Sequence, residues 1–324
     1  MEKLSYRPGD QFAPIPPAEA GLQTIVAEHF VQVLPDRGLL EGVQFDRTGE
    51  NLYFVECQSH RVMKVNMATK EVSTVISVED NENVRYPSAI KIAKDGRIWL
   101  PCCSEDYYRG GKIVSFNPDG SDLRIELENY VADDMVFDSK GGYYFTHFVG
   151  KVDDPNGGVY YVPAGTKRVF PVMENLAAPN GVALSPDEKT LWITETCGGR
   201  LLRMCLEYDD VCIPAYIPAF GTQAVYKTIG NLGPDSISTD ADGNVYCAFF
   251  DQSRFMVFNR NGFPIGQILM PDRDKGMWPR SSHAVIRPGT QELYMCSSGD
   301  NGEGSAIFRC GAFAGANMNQ SQYL

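Results

Sequence analysis

No two cysteines of this chain stand in Cys-x-x-Cys spacing, although there are nine of them: Cys57, Cys102, Cys103, Cys197, Cys205, Cys212, Cys247, Cys296 and Cys310. That argues against a zinc or iron–sulfur site of the usual ligand spacing. The opening MEKLSYRPGDQFAPIPP lacks the apolar stretch of a secretory leader, and no later window reaches the length of a membrane-spanning helix. Without a leader, the thiols read as reduced and the protein as cytoplasmic. Basic residues are in deficit, 29 Lys and Arg against 41 Asp and Glu, a net charge of -12. Such a balance argues against nucleic acid or an anionic membrane as partner. Also missing are a GxSxG nucleophile elbow, an HExxH helix, a phosphate-binding Walker loop and a GxGxxG turn after a strand.

What is present is a repeat. Hydrophobic residues make up 43% of 324 residues, enough to bury a core, and the 31 glycines and 20 prolines suit short strands joined by turns. One pattern occurs six times: EGVQFDRTGENLYFVE, SAIKIAKDGRIWLPCC, DDMVFDSKGGYYFTHF, NGVALSPDEKTLWITE, DSISTDADGNVYCAFF and HAVIRPGTQELYMCSS. The copies begin at Glu41, Ser88, Asp133, Asn180, Asp235 and His283, at intervals of 47, 45, 47, 55 and 48 residues. Each runs from a polar residue through an apolar alternation and a turn to an aromatic strand, and a third strand follows in most copies. Strand units at this period are β-propeller blades, because one small sheet cannot bury its faces alone and must pack radially on its neighbours. The expected fold is therefore all-β: a single domain over residues 1–324, with six blades of four antiparallel strands. The segment 1–40 would supply a closing strand, Leu22 to Phe30, to the last blade.

The first strand of a blade lies nearest the central channel, so the six opening residues are expected to circle one mouth. Glu41, Asp133 and Asp235 cannot all stay ionised at close range without a counter-charge. A hard divalent cation supplies it, and calcium takes about six to eight oxygen ligands, carboxylate and amide alike. Glu41, Asp133, Asn180 and Asp235 are the expected ligands of one such ion, with Ser236 beside them. Asp134 and Ser88 are expected to stand behind the ligands and hydrogen-bond to them. Taken singly, each residue reads as a hydrated polar group at a strand end. Taken together, they would be buried oxygens without purpose unless they bind something.

At this point the residues resemble the senescence marker protein/gluconolactonase/regucalcin family of six-bladed propellers. DDMVFDSKGGYYFT, GGVYYV, NGVALSPDEKTLWITET, GPDS and FPIGQILMPDRDKG look most like its bacterial drug-responsive lactonases. The resemblance implies calcium at the channel mouth, held by Glu41, Asp133, Asn180 and Asp235, and lactone hydrolysis with Asp235 as acid and base. In blade two, YYRGGK puts Tyr108 where those relatives carry serine, and ELENYVADD is shorter than theirs, so a second ion is not expected. His147 stands where they carry aspartate. PCCSEDYYRGG and an insertion around IPAYIPAFGTQ shape the rim differently.

The activity expected is calcium-dependent opening of a small cyclic ester, with other divalent metals as substitutes. Asp235 is the proton carrier, and His283 and His147 orient substrate or shuttle protons. Cys102, Cys103, Tyr107, Tyr108, Phe148, Phe250 and Trp278 are candidates for the pocket walls. Two alternatives use the same mouth: carbon–carbon hydrolysis of a cyclic diketone, for which His147 is the reason, and a non-enzymatic propeller braced by its metal.

Overall fold

The computed structural model describes residues 3–5, 12–208, 212–214, 221–230, 232–299 and 302–319, so the expected rim insertion around IPAYIPAFGTQ lies largely outside the described residues. Every blade begins at its innermost strand. Blade one comprises Leu40–Phe45, Asn51–Glu56, Arg61–Asn66 and Val72–Ser77, and blade two Lys91–Ile92, Ile98–Cys102, Lys112–Phe116 and Arg124–Glu128. Blade three is Ala132–Phe137, Tyr143–His147, Gly157–Val162 and Phe170–Leu176. Blade four is Pro179–Leu184, Thr190–Glu195, Arg200–Tyr208 and Thr222–Lys227, with Cys212–Pro214 on the far end of its third strand. Blade five is Pro234–Thr239, Val245–Phe249, Arg254–Phe258 and Pro264–Leu269, and blade six Arg280–Ile286, Glu292–Ser298 and Ser305–Gly311.

Val, Ile, Phe and Tyr fill these strands because their branched and aromatic side chains pack on a pleated surface. Tight turns close the inner hairpins. In KDGR, Ala93 pairs with Arg97 and Gly96 takes φ 85°, a left-handed conformation that glycine adopts without a Cβ penalty. Among the described residues the apolar side chains form seven clusters, a large one between each pair of neighbouring blades and a small one of Cys103, Val131 and Val149 between blades two and three. Val43, Phe45 and Phe54 of blade one, for example, meet Tyr294 and Ile307 of blade six. No blade has a core of its own, which is why the units hold together only as a ring.

The N-terminal closure departs from expectation. The run expected as one strand is two. Gln23–Val26 lies parallel to Pro264–Leu269 as a fifth strand of blade five, and Glu28–Leu34 lies antiparallel to Ser305–Gly311 as the outer strand of blade six. The change of sheet occurs at Ala27, whose small side chain is buried in the cluster between those two blades. A larger residue there would hold the two sheets apart.

Candidate active site

The inner strands of blades one, three, four, five and six each carry a β-bulge near their start. In blades three, four and five the pairs Ala132↔His147, Pro179↔Glu195 and Pro234↔Phe249 are followed by a register shift before Met135, Val182 and Ile237. A bulge sets two residues against one, so the first of the two leaves the ladder. Those residues are Asp133, Asn180 and Asp235. Glu41 stands at the matching shift in blade one, and Ser88 follows the Pro87↔Cys102 bridge of blade two. Neighbouring blades are tied at this level by hydroxyls. Thr146 Oγ1 donates to the Asn180 carbonyl (2.7 Å), Thr194 Oγ1 to that of Asp235 (2.6 Å) and Ser88 Oγ to that of Ala132 (3.0 Å). The strands approach so closely that a Cβ at Gly181 would come within 2.8 Å of the Asp235 carbonyl.

Glu41, Ser88, Asp133, Asn180 and Asp235 line one cavity of about 380 Å³. Its walls are largely apolar: Leu39, Tyr86, Pro87, Tyr107, Phe148 and Phe250. Burial, then Asp235 and Asp133, push the Glu41 carboxyl well above the usual carboxylate range. Burial and Asp133 do the same to Asp235, against hydrogen bonds from Asn180 and the Ser236 amide. Asp133 is pushed up to about 7 by burial and by Asp134. Three carboxyls around one mouth thus resist joint ionisation. Asn180 Oδ1 and Asp235 Oδ2 are buried there without a hydrogen-bond partner among the described residues.

Several expected residues lie elsewhere. His283 is not on the ring. In blade six Ser281 pairs with Ser297 and the shift follows at once, so Ser282 occupies the ring position, with its hydroxyl on the Leu40 carbonyl (2.6 Å). His283, one residue further on, is turned inward against the Ile237 backbone. Burial and Lys91 depress its pKa well below the ordinary histidine value, which keeps the ring neutral. His147 does not line the cavity either. Its Nδ1 accepts the Val131 amide (3.0 Å) and its ring packs edge-on against Tyr130. Alternate residues of a strand face opposite ways, and Phe148 takes the cavity side. Cys102 is fully buried between blades one and two, Trp278 packs on Phe308 between blades five and six, and Tyr108 is largely exposed away from the cavity. Ser236 is buried and offers Asp235 its amide rather than presenting its hydroxyl to the cavity. Asp134 points below the mouth, where Lys91 Nζ stands 2.9 Å away. Cys103 does line the cavity, with Sγ 3.5 Å from Asp133 Oδ1. Burial and then Asp133 raise its pKa well above the ordinary thiol value, so it makes a poor nucleophile.

The expected wall residues Cys103, Phe148 and Phe250 belong to a second row, which Cys57 and Thr196 extend. Cys57, Cys103, Phe148, Thr196 and Phe250 each follow the last residue of a second strand, and all five line the cavity. The first four donate their amides to Leu39, Tyr86, Val131 and Ala178 in the same way. Their spacing keeps the repeat period, a signal that was available from the sequence.

The donor set suits a hard divalent cation in charge and in chemistry, since it offers carboxylate and amide oxygens with two of them unpartnered. It is an open arrangement. Among the described residues no three His, Cys, Asp or Glu side chains gather closely enough to hold an ion by themselves.

Comparisons with known proteins agree with this architecture. Residues 126–299 match the model of the "SMP-30/Gluconolactonase/LRE-like region". The chain is 44% identical to "Lactonase drp35" of Staphylococcus haemolyticus over 323 residues, covering 97% of this chain and 96% of that one. It is 42% identical to the protein of the same name from Staphylococcus aureus strain USA300 over 302 residues, 92% and 90% of the two chains. A solved structure titled as a calcium-binding protein, regucalcin, from Agrobacterium tumefaciens superposes with a TM-score of 0.68 at 14% identity, covering 92% of this chain and 99% of that one. At that identity it speaks to the fold alone.

Proposed function

Because the chain belongs to the SMP-30/gluconolactonase/LRE-like family, we propose that it is an enzyme that hydrolyses lactones in the cavity at the channel mouth, with the aid of one calcium ion. The observation that carries this reading is the pair of buried, unpartnered oxygens, Asn180 Oδ1 and Asp235 Oδ2, among three mutually repelling carboxyls on the cavity floor. Glu41, Asp133, Asn180 and Asp235 would hold the ion. Bound there, it supplies a Lewis acid that polarises an ester carbonyl.

The chain's own residues supply the rest. The apolar walls exclude bulk water and seat the carbon skeleton of the ring. Asp235 Oδ2 takes a proton from the attacking water and returns it to the alkoxide oxygen as the ring C–O bond breaks, which leaves a hydroxy acid. The Asn180 amide and the Ser236 amide hold Asp235 in place for both transfers. The eight described cysteines are free thiols, which supports a reducing, cytoplasmic setting.

The cyclic-diketone alternative drew on His147, and that ring is turned away from the cavity. Diketones therefore serve as the control. A panel of lactones and cyclic diketones, assayed with and without chelator, is expected to show ring opening of lactones that stops on chelation and returns with calcium. Full activity in metal-free protein would overturn the mechanism. A cation that stabilises the chain while no lactone is opened would favour the metal-braced binding propeller.

A further inference from the structure

Beneath the cavity the channel narrows to a space of about 40 Å³. Lys91 of blade two reaches into it, and among the described residues that line the cavity and this space it is the only Lys or Arg. Its Nζ is 2.9 Å from Asp134 Oδ1, with the side chains 13% and 0% exposed. Asp134 is held on every side. Oδ1 also accepts the Met135 amide (2.8 Å), and Oδ2 accepts the Val182 amide of blade four (3.3 Å). The carboxylate cannot turn up to join the mouth, yet its charge reaches it: Asp134 contributes to raising both Glu41 and Asp235. Four carboxyls thus share one buried region, and Lys91 is the fixed cation that offsets them from below.

We propose that Lys91 is a positioning residue that restrains the cation affinity of the mouth by cancelling the charge of Asp134 under the ring. The inference rests on the cation reading given above. Removing the ammonium leaves a fourth uncompensated carboxylate below the ligands. A divalent cation is then held more tightly, and the metal-free chain is less stable because its repulsion is unrelieved. Removing the Asp134 carboxylate instead leaves a bare ammonium facing the site, which weakens cation binding. Removing both returns the net charge to its starting value. A pair that mattered only for packing would weaken binding whichever partner was lost.

Calcium affinity measured by calorimetry, with melting temperature in chelator, tests this. Lys91→Met is expected to lower the calcium Kd roughly tenfold and to lower the metal-free melting temperature. Asp134→Asn is expected to raise the Kd roughly tenfold, and the double variant to return it to within about threefold of wild type. Lys91→Arg keeps the charge and should keep the affinity. If Lys91→Met does not fold, Lys91→Gln makes the same charge change and still offers Asp134 a hydrogen bond. Weaker binding in both single variants, or an unchanged Kd in the Lys91 variants, overturns the inference. A wild-type chain that binds no divalent cation overturns the cation reading itself, and this inference with it.

Discussion

Above the ring of inner-strand residues and below it, the same six strands present two different surfaces. The upper face carries Glu41, Ser88, Asp133, Asn180 and Asp235 around a cavity of about 380 Å³, and Ser282 holds the sixth ring position with its hydroxyl on the Leu40 carbonyl. The lower carries Lys91 and His283 around about 40 Å³, with Asp134 paired to Lys91. Both hold buried polar atoms without partners. Above they are acceptors, Asn180 Oδ1 and Asp235 Oδ2. Below they are Gln44 Nε2, Ser238 Oγ and His283 Nδ1, a set able to donate as well as accept. A space of that size has room for water molecules that could satisfy the lower set. Water satisfies the upper set less well, because oxygens crowded by carboxyls need positive charge. The residue's parity along the strand decides which remedy it requires.

The largest break in this comparison is expected from Asp235→Asn. It keeps an oxygen for the ion and removes the proton acceptor, so turnover should fall roughly 10²–10⁴-fold while calorimetry still finds calcium bound. Wild-type turnover in the loaded variant would show that the base lies elsewhere. Asn180→Asp adds charge without removing a base; it should bind calcium at least as tightly and slow turnover by less than the Asp235 change, and a larger loss would reverse the roles assigned to the two residues. On the cavity wall, Phe148→Ala should raise KM about tenfold with kcat nearly unchanged, the signature of lost uniform binding; a fall in kcat alone would make Phe148 part of the chemistry.

A pH titration sharpens the contrast without mutation. In the folded, metal-free chain Asp133 is raised to about 7, above its unfolded value near 3.8. The folded state therefore holds the proton more tightly, and stability should fall as pH rises from about 4 through about 7. Melting temperatures in chelator should show that decline and calcium should flatten it. A metal-free chain whose stability is level across that window would contradict the crowding. The smallest effect is expected below the ring: His283→Gln should leave turnover within about a factor of two of wild type, and a loss near that of Asp235→Asn would bring His283 back into the mechanism.

The sixfold repeat and its register were legible because one strand period and one turn chemistry recur, from Asp46-x-x-Gly49 in blade one to Asp240-x-x-Gly243 in blade five. Four ring residues, Glu41, Asp133, Asn180 and Asp235, were legible for the same reason. Blade six was misread by one residue. His283 looks like the polar opener of its repeat, and only the immediate bulge after Ser281 reveals that Ser282 holds the place. His147 draws notice by its chemistry, but the strand's alternation turns its ring to the Val131 amide and gives the cavity side to Phe148. Its row neighbours Glu56 and Glu195 likewise face backbone: Glu56 Oε2 accepts the Ser59 amide (2.9 Å) and Glu195 Oε1 the Ala177 amide (2.7 Å). The split at Ala27 was illegible, since a run of β-formers does not say which sheet it will join.

That split places a delay in the life of every new chain. Glu28 pairs with Arg309 and Gln23 with Gly266, so two strands that leave the ribosome well before the blades bind the last two of them. At roughly 5–20 residues per second, the interval is on the order of tens of seconds. Throughout it Glu28–Leu34 has no sheet to join, and the nascent chain must stay soluble with an unmatched strand. Glu28, His29 and Gln32 within that strand, all exposed, give it polar groups to show water while it waits.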